Sequence, residues 1–390
     1  MSIPFIDLKT QYARVAGPVE QGLRAVLESG AFINGPEVVK LEKRLAEYCG
    51  TRHAVGCASG TDALMMALMV LKVGPGDAVF CPSFTFMATA EVVALLGATP
   101  VFVDMDPATF NIDAAQLETA IRAVETDDAT LYPLPRHTGK LTPKAVIPVD
   151  LFGLLADYQG VLSVSAKHGL YVIEDAAQAF GATTELGGVT RRSCSFGQIA
   201  CTSFFPAKPL GCYGDGGMCF TDDDELLALL QSVRVHGQGA DKYQNVRLGI
   251  TGRLDTMQAA VLLAKMDIFE DELRLRQEVA ARYAQLLAKI PGLTLPHVPA
   301  GNLSVFAQYC IQAESTAHRT ELLAKLAKAG VPTSIYYPVP LHLQPAYANL
   351  AYAAGTLPVS EAVAGRIFSI PMHPYLTAPV QEEIARAMAE

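Results

Sequence analysis

The sequence predicts an α/β fold: a large, mostly parallel β-sheet covered on both faces by helices, followed by a small C-terminal α/β domain. Two patterns predict it. Between His53 and Asp175 short apolar runs alternate with helical segments, as in buried parallel strands joined by crossover helices. Beyond the lysine-bearing loop near residue 208 the pattern changes to helices with a few short strands. A length of 390 residues suits a large unit with a smaller partner, and the expected division is residues 1–252 and 253–390. No internal repeat is present.

Each element has its own warrant. Ile3 to Leu8 reads as extended, and Pro18 to Glu28 as a helix carrying Val19, Leu23, Val26 and Leu27 on its apolar positions. Gly35-Pro36 opens a helix from Glu37 to Tyr48, with proline and an acidic residue in its first turn. His53–Cys57, Ala78–Cys81, Pro100–Asp104, Ala145–Val149 and Tyr171–Asp175 are strands, with helices from Gly60, Ala88, Asp113 and Tyr158 between them. Ala200–Phe205 and Gly217–Thr221 are two further strands, followed by a helix from Asp222 to Val235. One long amphipathic helix is expected from Leu254 to Ile290. Strand Phe306–Gln312, helix Arg319–Ala329, strand Thr333–Tyr337 and helices from Ser360 and Pro379 complete the small unit. The Tyr132–Pro143 stretch is an irregular insertion that enters a strand at its amino end, so it is expected away from the ligand edge.

Composition narrows the function. The chain is 51% hydrophobic and 18% charged with a net charge of −9, which argues against nucleic acid or an anionic membrane as its partner. Its eight cysteines form no C-x-x-C pair and sit in apolar runs, as core residues of a reducing compartment rather than a disulfide framework or metal site. Neither a signal pattern nor a membrane span is expected, and the location is expected to be cytoplasmic.

Three stretches carry chemistry. Lys208 lies among Phe204, Phe205, Pro206, Pro209 and Leu210 rather than among charges. Desolvation disfavours an ammonium there, leaving an amine suited to Schiff-base chemistry, although a snorkelling structural lysine would show the same neighbours. Ser59-Gly60-Thr61-Asp62 falls at a strand-to-helix turn, where free N–H groups and the helix dipole can hold a phosphate; an ordinary N-cap has the same sequence. Asp175 ends a strand and is followed by Gln178. A carboxylate there can pair with the pyridine nitrogen of pyridoxal phosphate, and Gln178 can reach the ring hydroxyl. Asp104 and Ser83 fall at the same edge of the sheet, and Phe86 is placed to stack on a ring while Phe84 fits the core equally well. The order phosphate turn, aspartate, lysine is far more specific than any of its parts.

With these stretches in view, the chain resembles the DegT/StrS family of pyridoxal-phosphate-dependent nucleotide-sugar aminotransferases over essentially its full length. The resemblance rests on Phe32-Ile-Asn-Gly-Pro36, Ser59-Gly-Thr-Asp-Ala-Leu64, Ile173-Glu-Asp-Ala-Ala-Gln178, Ser203-Phe-Phe-Pro-Ala-Lys-Pro-Leu-Gly211, Gly214-Asp-Gly-Gly217 and Arg253-Leu-Asp-Thr-Met-Gln-Ala-Ala260. Phe5-Ile-Asp-Leu-Lys9, Ile335-Tyr-Tyr-Pro-Val-Pro340 and Ile370-Pro-Met-His-Pro-Tyr375 are most similar to enzymes that aminate UDP-2-acetamido-2-deoxy-3-keto-glucuronic acid. The resemblance implies an aspartate-aminotransferase-like fold (fold type I) and a homodimer with shared active sites. It implies Lys208 as cofactor anchor and proton shuttle, Asp175 on the pyridine nitrogen, Gln178 near the ring hydroxyl, and Phe86 stacked on the ring. Gly60, Thr61 and Ser203 would hold the phosphate, and Arg253, Tyr336 and Tyr337 would meet the UDP-sugar. Glutamate is the implied amino donor, and bacterial surface polysaccharide, such as lipopolysaccharide, the implied destination.

The chain also departs from the family. Thr251 stands where relatives carry an asparagine that reaches the partner subunit's cofactor phosphate, and it is expected among the cofactor-binding residues because it can still donate one hydrogen bond; Tyr336 stands where they often carry histidine. Asp150 and the 132–143 insertion depart as well. Two other classes compete. A nicotinamide-dependent oxidoreductase needs G-x-G-x-x-G after the first strand, which Gly56-Cys-Ala-Ser-Gly60 does not supply. A non-catalytic binding protein on the same fold has no use for an intact Lys208, Asp175 and Gln178 together. Amination of a different 3-keto or 4-keto sugar is compatible with all of these residues.

Overall fold

In the computed structural model, which describes residues 3–241 and 243–390, a seven-stranded sheet forms the centre of the molecule. Two helices precede it, α1 (Leu8–Ser29) and α2 (Pro36–Cys49). Then come β1 (His53–Cys57), α3 (Gly60–Val70), β2 (Asp77–Pro82), α4 (Ala88–Leu95), β3 (Thr99–Val103), α5 (Ala114–Thr126), β4 (Thr142–Val146), α6 (Tyr158–His168) and β5 (Tyr171–Asp175). A hairpin of β6 (Thr183–Leu186) and β7 (Val189–Arg192) leads into β8 (Ile199–Ser203), β9 (Gly217–Thr221) and α7 (Asp224–Val233). The order across the sheet is β1-β9-β8-β5-β4-β2-β3. β9 runs antiparallel to both of its neighbours, while β8, β5, β4, β2 and β3 pair in parallel. The expected mostly parallel sheet is therefore present, and the one reversed strand exists because β8 turns back directly through the loop carrying Lys208.

α1 begins ten residues earlier than Pro18 suggested, at Leu8. Asp7 caps it by accepting from the Thr10 N–H at 3.0 Å. Pro18 stays inside because Val15 and Val19 are buried against Val261 and Ala264 of a later helix, and that packing outweighs one missing backbone bond. The expected long helix is two, α8 (Thr256–Met266) and α9 (Phe269–Leu287). At their junction the Asp267 and Ile268 N–H groups bond three residues back, to Ala264 and Lys265. The break lets α8 pack on α1 and α2 while Val279, Tyr283 and Leu287 of α9 enter a separate core.

That second core belongs to a three-stranded sheet of β10 (Leu293–Thr294), β12 (Tyr309–Ala313) and β13 (Ile367–Ile370), backed by α10 (Thr316–Lys328) and α12 (Ala378–Ala389). A two-residue strand, β11 (Asn302–Leu303), extends the β6–β7 hairpin instead, and α11 (Pro358–Ala364) precedes β13. Thr333–Tyr337 is not a strand; among the described residues a single bridge between Ser334 and Ser369 is its only ladder contact. Among the described residues no helix is long and apolar enough to cross a membrane, and all eight cysteines are buried and free.

Candidate active site

In an open α/β sheet, ligands lie beyond the carboxyl ends of the parallel strands. Here that edge gathers the turn after β1, Asp175 at the end of β5, Ser203 at the end of β8, and the loop that follows it. The turn is both an N-cap and a cradle. Ser59 Oγ accepts from the Asp62 N–H at 3.0 Å, which settles the cap and leaves the first N–H groups of α3 facing outward. A Cβ placed on Gly60 would lie 2.7 Å from Cβ of Ser203, and one on Gly217 would lie 2.3 Å from the Ser59 carbonyl oxygen. Two glycines thus let three segments close on a single point, and the donors there suit a phosphate.

The loop from Phe204 to Gly216 is bonded across itself: Phe204 N–H to Gly216 O at 2.7 Å, Cys212 N–H to Phe204 O at 2.8 Å, and Lys208 N–H to Phe205 O at 2.9 Å. Burial draws the Lys208 ammonium below its ordinary pKa, and the negative charge of Asp175 opposes that fall. Asp175 is buried, and burial raises its carboxyl. Thr89 Oγ1 donates to its Oδ2 at 2.9 Å and the Ala177 N–H to its Oδ1 at 3.2 Å, both favouring the ionised form. An amine and a carboxylate are thereby presented together in a desolvated place.

Gln178 is buried and doubly held. Its Oε1 accepts from the Phe152 N–H at 2.9 Å, and its Nε2 donates to the Tyr337 hydroxyl at 3.1 Å. Tyr337 also meets the edge of Phe84, with ring centres 5.9 Å apart. Phe84 is fully buried, whereas Phe86 is 56% exposed and leans on Tyr337. That difference assigns Phe84 to the core and leaves Phe86 free to stack on a ligand. Arg253 is partly buried, and its guanidinium has no hydrogen-bond or ion-pair partner among the described residues.

Other expectations at this edge resolve as structure. Asp104 accepts from the Val359 and Ser360 N–H groups at 2.9 and 2.8 Å and caps α11. Ser83 Oγ bonds His342 Nδ1 at 2.6 Å while remaining fully buried, so both residues tie the sheet to later chain. The 132–143 insertion is not wholly remote, because the Tyr132 hydroxyl accepts from the Asp104 N–H at 2.9 Å. Thr251 is exposed, and its hydroxyl pairs with His236 Nε2 at 2.7 Å.

Sequence reasoning missed Lys265. Only 1% exposed, it donates to the Gly211 carbonyl at 2.6 Å and lies 4.2 Å from the Tyr213 ring centre, bracing the Lys208 loop from behind. Burial pulls its pKa down to about 8, against the opposing charge of Glu272. A lone lysine in the apolar run Ala259–Met266 was the available signal.

The assembled donors suit pyridoxal phosphate, and comparison with known proteins identifies the family. A model of the DegT/DnrJ/EryC1/StrS aminotransferase family matches residues 17–389. This chain belongs to that family. It is 47% identical over 374 residues to UDP-2-acetamido-2-deoxy-3-oxo-D-glucuronate aminotransferase of Pseudomonas aeruginosa, covering 96% of each chain. It is 42% identical over 385 residues to the UDP-N-acetyl-3-dehydro-α-D-glucosamine 3-aminotransferase of Acidithiobacillus ferrooxidans, covering 99% of this chain and 96% of that one. A DegT/DnrJ/EryC1/StrS aminotransferase from Brucella abortus has a solved structure that superposes with a TM-score of 0.92 at 49% identity, covering 99% of this chain and 98% of that one. NtdA of Bacillus subtilis, solved with its cofactor PMP bound, superposes with a TM-score of 0.87 at 29% identity, over 99% of this chain and 84% of that one. The family member described here is a pyridoxal-phosphate-dependent aminotransferase of fold type I.

Proposed function

We propose that the protein transfers an amino group from glutamate to C3 of a UDP-linked keto sugar, namely UDP-2-acetamido-2-deoxy-3-keto-glucuronic acid, for bacterial surface polysaccharide synthesis. The observation that carries the reading is the half-buried Lys208 amine facing the buried Asp175, beside a cradle that only glycine at position 60 permits. Two relatives named for 3-oxo UDP-sugars support the acceptor class.

The bound cofactor supplies the electron sink for breaking the C–H bond of the amino donor. Each remaining task falls to a side chain. Lys208 anchors the cofactor, then takes and returns the proton at the reacting carbon through Nζ. Asp175 would hold positive charge on the ring nitrogen, with the Thr89 hydroxyl favouring its ionised form. Gln178 would lie toward the ring hydroxyl, Phe86 would cover the ring, and Gly60, Thr61 and Ser203 would receive the phosphate. Arg253 would be available for the uronate carboxylate or the diphosphate, and Tyr336 and Tyr337 for the sugar nucleotide. The exposed side chains Phe32, Phe205 and Tyr213 and the exposed Thr251 support a homodimer that shares these sites.

The test is a two-stage assay with purified protein. Glutamate should convert the bound cofactor to its amino form, and the 3-keto uronic acid nucleotide should then return the visible band and yield a 3-amino sugar. Return of the band with a 4-keto nucleotide sugar and not with the 3-keto one would overturn the proposed position of attack.

A further inference from the structure

Directly behind Asp175, two carboxyl groups are shut into the core together. Glu174 and Asp150 are each 0% exposed and lie within hydrogen-bond reach of one another. Nearly every oxygen of the pair has a donor. Glu174 Oε1 accepts from the Cys194 N–H at 2.6 Å and its Oε2 from the Phe196 N–H at 2.8 Å. Asp150 Oδ1 accepts from the Ala156 N–H at 2.9 Å and the Tyr158 hydroxyl at 3.0 Å. Asp150 Oδ2 alone has none. Among the described residues the other titratable groups facing the pair are Tyr158, Cys49, Cys194 and Asp175, and none of these is cationic. Arg191 packs on the ring of Phe196, but its guanidinium donates to the Ser195 carbonyl. Two buried negative charges without a cation are strongly disfavoured, and one proton placed on Oδ2 removes one charge and satisfies the last oxygen.

Asp150 also governs a contact to the proposed cofactor site. Its carboxyl closes the segment from 150 to 156 by holding Ala156 and Tyr158. Within that segment Phe152 adopts φ 58° and aims its N–H at Gln178 Oε1. The Asp150 N–H itself bonds the Asp175 carbonyl at 3.0 Å. We propose that Asp150 is a neutral carboxylic acid whose proton bridges to Glu174, and that it is a positioning residue which holds Gln178 toward the cofactor through the Phe152 N–H. The second half of this rests on the cofactor reading above; the first half does not. Burial raises Asp150 well above the ordinary carboxylate range and raises Glu174 as well, so the pair's proton is fully held in acid and the stability it contributes is lost as pH rises through the raised folded-state values.

The two residues respond oppositely to amide substitution. Asp150→Asn keeps an acceptor toward Ala156 and Tyr158 and a donor toward Glu174, so it reproduces the protonated acid. Glu174→Gln must turn an NH2 group onto a backbone N–H. Full-length protein free of cofactor is therefore unfolded at pH 6 to 9, and pyridoxal phosphate is titrated by absorbance at pH 7. Asp150→Asn should keep the parent's midpoint at pH 6 and lose less of it toward pH 9, with unchanged cofactor affinity. Glu174→Gln should lower the midpoint throughout. Asp150→Ala should weaken cofactor binding about tenfold, the cost of one lost buried hydrogen bond, and move the visible band as Gln178→Ala does. The neutral acid is refuted if Asp150→Asn behaves as Asp150→Ala and Glu174→Gln behaves as the parent. The positioning role is refuted if Asp150→Ala lowers stability while affinity and band stay as in the parent. Parent protein that takes up no pyridoxal phosphate refutes the cofactor reading, and the unfolding comparison still decides the proton.

Discussion

Gly60→Ala isolates the cradle from the rest of the site. The added Cβ would lie 2.7 Å from Cβ and 3.2 Å from both Cα and Oγ of Ser203. Carbon atoms rest about 3.5–4.0 Å apart, so Ser203 or the first turn of α3 must retreat by about 1 Å. Neither yields easily, because β8 is paired on both sides and α3 is packed in the core beneath the sheet. Overpacking of this kind costs about 1–3 kcal/mol of stability. The effect on function should be larger, since the retreat opens the point where the phosphate would bind and a 1 Å misplacement can cost about 100-fold in rate. The assay is cofactor titration by absorbance beside urea unfolding of the cofactor-free protein. Gly74→Ala, where nothing lies within 4 Å, is the control and should change stability by no more than about 0.5 kcal/mol. A Gly60→Ala protein that binds pyridoxal phosphate as tightly as the parent would refute the placement of the phosphate.

Three further outcomes are expected. Thr89→Val removes the donor to Asp175 Oδ2 and leaves that carboxylate less stabilised, so the acid limb of the pH–rate profile should move to higher pH and turnover should fall; an unmoved limb contradicts the role given to Thr89. Glu42→Ala breaks a largely buried pair in which Glu42 holds Arg234 at 2.6 Å and the Gly56 N–H at 2.8 Å, and should cost about 3–5 kcal/mol by urea denaturation. His373 is buried, and burial lowers its pKa from 6.5 to about 4. The folded state therefore binds fewer protons than the unfolded one. Stability should decline by up to about 1.4 kcal/mol per pH unit as pH falls from 6.5 to about 4, and His373→Leu should flatten that decline in unfolding curves.

The central sheet was legible because most of its strands are compact apolar runs and a helix joins each strand to the next from β1 to β5. What escaped the sequence depended on tertiary packing or on turns given too little weight. Pro18 reads as a helix start, and only the burial of Val15 against α8 shows that α1 continues through it. The apolar periodicity from Leu254 to Ile290 is real but serves two different cores, so periodicity alone could not show the break at Asp267. The β6–β7 hairpin was readable: Leu186 pairs with Val189 across Gly187-Gly188, both at positive φ, which is the two-residue turn that glycines favour. Within the site, Lys208, Asp175, Gln178 and Gly60 were found because their chemistry is local to short motifs. Lys265 and Asp150 were not assigned roles, because each acts through a carbonyl or a carboxyl far away in sequence or hidden by the fold. Asp104 and Ser83 show the converse, since a polar residue at the ligand edge can be wholly occupied in holding the chain together.

The most direct test is the absorption spectrum of the purified protein with pyridoxal phosphate, recorded before and after glutamate, beside that of Lys208→Ala. The parent should show a visible band that glutamate discharges, and the variant no such band before donor is added. A parent protein that acquires no band, or one whose band no amino donor changes, would contradict the assignment of Lys208 as the amine on which the site is built.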